Sequence, residues 1–144
     1  MTKTEHGEQA FANGFNCAQS VFSAFSQDYG LDTATACKIA GGLGSGARSA
    51  ELCGAVSGAI LVIGLKYGQG TASDADMKLK CNAETEAFVR RFRAANRDIV
   101  CRDLLKHDVS TMEGREAAVA KGMFKTRCKT LVASAIEILA DMGY

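Results

Sequence analysis

The sequence predicts an all-α protein: a single-domain helical bundle of about five helices packed on a central helix rich in glycine and alanine. Proline is absent from the 144 residues, so no ring interrupts a helix interior. Runs of β-branched residues are few, and apolar residues recur at three- and four-residue steps instead of alternating. The chain length suits one domain that buries roughly two-thirds of its unfolded surface. Hydrophobic residues make up 47% and charged residues 23%, the balance of an ordinary soluble globular protein.

The first helix is expected from about Glu8 to Asp28, with Phe11, Phe15, Ala18, Phe22 and Phe25 along one face and Tyr29-Gly30 ending it. A short second helix, about Asp32 to Ala40, runs into the loop Gly41-Gly42-Leu43-Gly44-Ser45-Gly46. The third, about Glu51 to Tyr67, closes at Gly68. Its Gly54, Ala55, Gly58 and Ala59 offer a surface that another backbone can approach. Glycine in a helix costs up to about 1 kcal/mol relative to alanine, so two of them four residues apart imply compensating close packing. Leu61, Val62, Ile63 and Leu65 make its second half apolar nearly all round, which marks it as the central helix.

Thr71-Ala72-Ser73-Asp74 supplies caps for a fourth helix to about Ala95, striped by Met77, Cys81, Phe88 and Phe92. A short helix near Asp98 to Leu105 and a polar turn from Lys106 to Thr111 follow. The last stretch, Met112 to Met142, is expected to break near Gly122. Its final part carries the stripe Cys128, Leu131, Val132, Ala135, Ile138, Leu139 and Met142. No repeat, low-complexity tract or interdomain linker interrupts the chain.

A net charge of +1 gives no general attraction to nucleic acid or to an anionic membrane. The basic run Arg90, Arg91, Arg93, Arg97 reads as a solvated helix face. The polar start Met1-Thr2-Lys3-Thr4-Glu5-His6 lacks the apolar core of a secretory signal. The longest apolar stretch, Leu52 to Leu65, falls short of the about 20 residues a membrane span needs. The expectation is a cytoplasmic protein without membrane insertion or nucleic-acid binding.

Six cysteines are too sparse for a small secreted disulfide scaffold, which leaves buried thiols, metal ligands or redox groups. Cys53 stands at the predicted start of the central helix, where unpaired N–H groups and the helix dipole favour a thiolate. Cys101 and Cys128 also lie near helix starts, beside Arg102 and between Arg127 and Lys129. Cys17 lies to the side of the phenylalanine stripe, with Val21 and Ala24. Cys37 and Cys81 read as small buried hydrophobes. None of the six forms a C-x-x-C pair, which argues against a zinc ribbon and a thioredoxin-type dithiol.

The run Cys53-Gly54-Ala55-Val56-Ser57-Gly58, with Phe15-Asn16-Cys17-Ala18-Gln19 before it, resembles the family of redox-active proteins named for its C…CGAxxG…C…C pattern (C_GCAxxG_C_C). Gly64-Leu65-Lys66-Tyr67-Gly68, Cys101-Arg102-Asp103-Leu104-Leu105 and Cys128 extend the likeness over nearly the whole chain. The resemblance implies that Cys17, Cys53, Cys101 and Cys128 are the functional set, with Cys37 and Cys81 additional to it. It also implies a functional link to a transporter. Redox activity in the family is itself inferred from the cysteines, so no substrate follows from it.

Other groups read more plainly. Glu84, on the inner stripe, is expected to snorkel or to pair with an arginine such as Arg91, ahead of a metal-ligand role. Asp103, His107 and Asp108 follow Cys101, where His107 is either a loop histidine or a base or ligand. His6 is expected to be disordered. The glycine loop follows a helix and lacks the Lys-Ser/Thr of a phosphate-binding loop. No arrangement for a hydrolase nucleophile is present.

The favoured function is thiol redox chemistry, in which Cys53 attacks and Cys17, Cys101 or Cys128 resolves, with an unnamed redox partner and no required cofactor. A second reading has the same four thiolates ligating a soft metal or iron–sulfur cluster. A third is a non-catalytic interaction module, a homodimer being one form of it.

Overall fold

The computed structural model describes residues 1–144, and all of its regular elements are helices. Its one extended pairing is an antiparallel bridge between Leu52 and Val100. Eight α-helices are present: α1 (Lys3–Ala12), α2 (Cys17–Ser26), α3 (Thr33–Ile39), α4 (Gly54–Tyr67), α5 (Ala75–Asn96), α6 (Cys101–Leu105), α7 (Met112–Ala120) and α8 (Lys129–Asp141). The all-α class holds, but the count exceeds the expected five.

The largest departure is in the first predicted helix, which is two. Gly14 takes φ +102°, and Asn16 then caps α2. The Asn16 side chain accepts from the Gln19 N–H while the Gln19 side chain accepts from the Asn16 N–H, both at 2.8 Å. This reciprocal pair satisfies two orphan donors at the helix start. The aromatic period runs straight through the break and hides it. As a result Phe15 is exposed and Phe11 partly buried, while Phe22 and Phe25 are buried in the core. His6 is ordered within α1, its Nε2 3.2 Å from Ser23 Oγ, contrary to the expected disorder.

The chain also breaks at Lys121-Gly122, and a wide turn, Phe124–Cys128, leads directly into α8. Helix α4 is central: Val56, Ala59, Val62 and Ile63 are fully buried, and α2, α5 and α8 pack around it. Helix α2 makes its closest approach there. A methyl added at Gly58 would lie 2.6 Å from the Ala18 carbonyl oxygen, and one at Gly54 would lie 3.2 Å from both the Ala18 nitrogen and Cys17 Cβ. The small residues of the CGAVSG run therefore set the separation of α2 and α4, and so the position of Cys17.

A second, smaller apolar cluster contains Ala50, Cys101, Leu105, Val109, Ala118 and Cys128. Phe11 and Cys17 touch both clusters. Cys37 is buried on α3, and Cys81 is partly buried against the main core. Glu84 pairs with Lys80 and accepts the Tyr144 hydroxyl at 2.9 Å, so its partner is not Arg91. Arg90, Arg91, Arg93 and Arg97 are exposed. No helix is long and apolar enough to cross a membrane.

Candidate functional site

Four local structures bring four cysteines to one place. Cys17 is the first residue of α2, held against α4 by the glycine contacts just described. Cys53 caps α4 and Cys101 opens α6. These two are tied across the Leu52–Val100 bridge, where the Cys53 N–H donates to the Ile99 carbonyl at 2.8 Å and the Cys101 N–H to the Glu51 carbonyl at 2.6 Å. Cys128 ends the wide turn before α8. All four line a single cavity of about 270 Å³, which Cys37 and Cys81 do not reach. All six cysteines are free thiols.

The glycine loop and the turn after it wall the cavity. Asn16 Nδ2 donates to the Gly41 carbonyl at 3.1 Å, fastening this loop to the start of α2. Ser45, Gly46, Ala47 and Arg48 then take successive left-handed conformations, φ 54°, 62°, 57° and 61°. Three of these are not glycine, and each such residue carries a steric cost of roughly 1–2 kcal/mol. The turn is fastened from outside: Arg115 Nη2 on α7 donates to Ser45 Oγ at 2.6 Å, with its guanidinium 5.2 Å from the Phe124 ring centre.

The thiols differ sharply in acidity, and not in the order expected from helix position. Burial pushes Cys53 up to about 11, against the pull of the Ala55 and Val56 N–H groups at the start of α4. Relative to its ordinary value of 9.0, that is roughly 3 kcal/mol in favour of the neutral thiol. A helix start offers typically 0.3–1 kcal/mol to an anion, so desolvation wins. Burial likewise takes Cys101 to about 12, reinforced by Cys53 and Cys128 and only partly offset by Arg115 and Arg102.

Cys128 is the exception. The hydrogen bond from Cys17 lowers it, and Arg127 and Arg115 lower it further against the cost of burial. Cys17, donating that bond and buried beside the other sulfurs, is raised well above its ordinary value. The two shifts run in opposite directions, so Cys128 is the thiol of the pair that ionises more readily and Cys17 the one that keeps its proton longer. Burial shifts Cys53 opposite to the direction expected from a helix start, because burial depends on the surrounding fold and not on a residue's place in a helix.

Arg48 and Arg115, which the sequence reading passed over, line the same cavity. Their only signal is spatial, since Arg115 meets Ser45 across the fold. His107 does not line it: its Nδ1 lies 2.7 Å from the Leu105 carbonyl, over a shallow outer basin with Asp103 and Asp108. No group of three or more His, Cys, Asp or Glu side chains is arranged to hold a metal ion. The four sulfurs therefore share a cavity without closing around a common centre.

Fold and site together define a helical thiol protein, with four cysteines of graded acidity facing one small cavity. Residues 15–142 match the model of a family described as "Putative redox-active protein (C_GCAxxG_C_C)". The chain belongs to that family. Neither the curated proteins nor the solved structures yield a match to it.

Proposed function

We propose that the protein carries out thiol–disulfide exchange, with Cys128 as the attacking thiolate and Cys17 as the resolving thiol. The observation that carries this reading is that Cys17 and Cys128 line one cavity and shift in opposite directions, Cys17 raised and Cys128 lowered by the interaction between them. An attacking thiol works best when its pKa lies near ambient pH, and Cys128 is the cavity thiol shifted in that direction.

In the first step Cys128 Sγ attacks a substrate disulfide, forming a mixed disulfide and expelling one substrate thiolate. Cys17 gives its proton to that leaving group. Its sulfur then attacks Cys128 Sγ, releasing the second substrate thiolate, which water protonates. The two sulfurs close to a bond of about 2.05 Å. Two protein thiols are oxidised to one disulfide, and one substrate disulfide is reduced to two thiols. Cys53 and Cys101 stay neutral and keep the cavity apolar. The chemistry calls for no bound cofactor.

The test is to react the reduced protein with hydroxyethyl disulfide and map peptides without reduction. A Cys17–Cys128 disulfide is expected, and Cys17→Ser should stop at a mixed disulfide on Cys128. Failure of Cys128 to react overturns the proposal. So does protein purified without oxygen that carries stoichiometric metal on the same thiols, which is the outcome the ligand reading predicts.

A further inference from the structure

The cysteine cavity has a second chemical character. Arg48 and Arg115 both line it, beside the four sulfurs. No Asp or Glu is among the lining residues. The chain has four ion pairs, Lys3–Asp28, Lys80–Glu84, Arg102–Glu51 and Lys129–Glu8, and neither arginine takes part in one. Arg115 is held in place by Ser45 and the Phe124 ring. Arg48 is delivered by the left-handed turn, a backbone form that sterics disfavour and that the fold maintains at this rim.

Two guanidiniums that face one small space repel each other, and an anion between them would relieve the repulsion. Cys128 faces the same cavity, where Cys17, Arg127 and Arg115 favour its ionised form, and no carboxylate offsets the arginines at the mouth. That leaves the rim positive. A planar guanidinium presents paired donors that match a carboxylate or sulfonate. The volume, about 270 Å³, lies at the small end for ligand pockets and admits a compact molecule only.

We infer that the cavity takes a small anionic disulfide, whose acidic group lies against Arg48 and Arg115 while a sulfur faces Cys128. This rests on the exchange reaction above and assigns its substrate class. The chemistry is that reaction: the anionic disulfide gains two electrons and two protons and leaves as two thiols, while Cys17 and Cys128 become a disulfide.

Three disulfides of similar length and different charge test it: dithiodipropionate (anionic), hydroxyethyl disulfide (neutral) and cystamine (cationic). The rate of mixed-disulfide formation at Cys128 is read by quenched mass spectrometry. Each rate is divided by that of the same disulfide with dithiothreitol, which removes differences in leaving-group acidity. Dithiodipropionate should exceed hydroxyethyl disulfide by about ten-fold, with cystamine slowest. Arg48→Gln, at an exposed position, should reduce that advantage by roughly five-fold, and molar salt should largely erase it. Arg115→Gln should act likewise, with a pH–rate profile separating its effect on Cys128 ionisation from its effect on charge selection. Equal normalised rates for the three disulfides, or cystamine fastest, overturn the inference and leave the exchange reaction standing. If none of the three reaches Cys128, the exchange reaction itself fails.

Discussion

Replacing Gly58 by alanine tests how the CGAVSG run builds the site. The added methyl would lie 2.6 Å from the Ala18 carbonyl oxygen and 2.9 Å from Ala18 Cα, both backbone atoms of α2 that cannot swing aside. Helix α2 must then move off α4. Overpacking of this kind costs typically about 1–3 kcal/mol, and alanine's better helix propensity returns up to about 1 kcal/mol. The net expectation is a loss of roughly 1–2 kcal/mol, which lowers Tm by about 3–8 °C for a domain of this size. Gly64→Ala is the matched control, because a methyl there has nothing within 4 Å outside its own helix. It should raise stability by about 0.5–1 kcal/mol. Thermal and urea unfolding of the three proteins reads both effects. A second readout follows from geometry: moving α2 withdraws Cys17 from Cys128, so the pH midpoint for alkylation of Cys128 should rise. Gly58→Ala as stable as the parent, with an unchanged Cys128 midpoint, would refute the claim that the glycine contact sets this register.

Further expectations concern the thiols. Cys17→Ala removes the donor to Cys128 and should raise its alkylation midpoint, whereas Cys17→Ser keeps a hydroxyl donor and should hold it lower; mass-mapped iodoacetamide rates across pH distinguish the two. At neutral pH that reagent should label Cys128 before Cys53 or Cys101, and faster labelling of Cys53 would contradict the acidity order. Stability should fall in alkali. Cys53 and Cys101 are raised above their ordinary 9.0, so their contribution is complete below that pH and is lost as pH rises through about 11 and about 12. Cys128 is lowered, so its contribution is present above its ordinary value and lost as pH falls through its folded value, which opposes the trend. Cys17 is raised as well, so three raised thiols outweigh one lowered thiol, and urea midpoints should decline above pH about 9 with a shallower slope in Cys53→Ala.

Much of the helix pattern is legible in the residues alone. The short helix ending at Leu105, the break at Gly122 and the start of α5 after Thr71-Ala72-Ser73-Asp74 all follow from local period and breakers. The close packing implied by Gly54 and Gly58 is also local in origin, since only a neighbouring backbone offsets the cost of glycine in a helix. The division between Ala12 and Cys17 was legible too, in the Asn16–Gln19 capping pair, but the aromatic repeat masked it.

What a sequence determines by itself in this protein is what neighbouring residues decide: the helical class, most helix ends, and the placing of Cys53, Cys101 and Cys128 near helix starts. Only the tertiary structure decided that these three and Cys17 face one cavity, that Arg48 and Arg115 join them, and that Cys128 is shifted toward the thiolate while Cys53 is shifted away from it. The reason is physical. Helix periodicity and capping act over three or four residues, whereas desolvation and Coulomb interactions sum over every group nearby in space. Here those groups come from α2, α4, α6, α7 and the turn before α8.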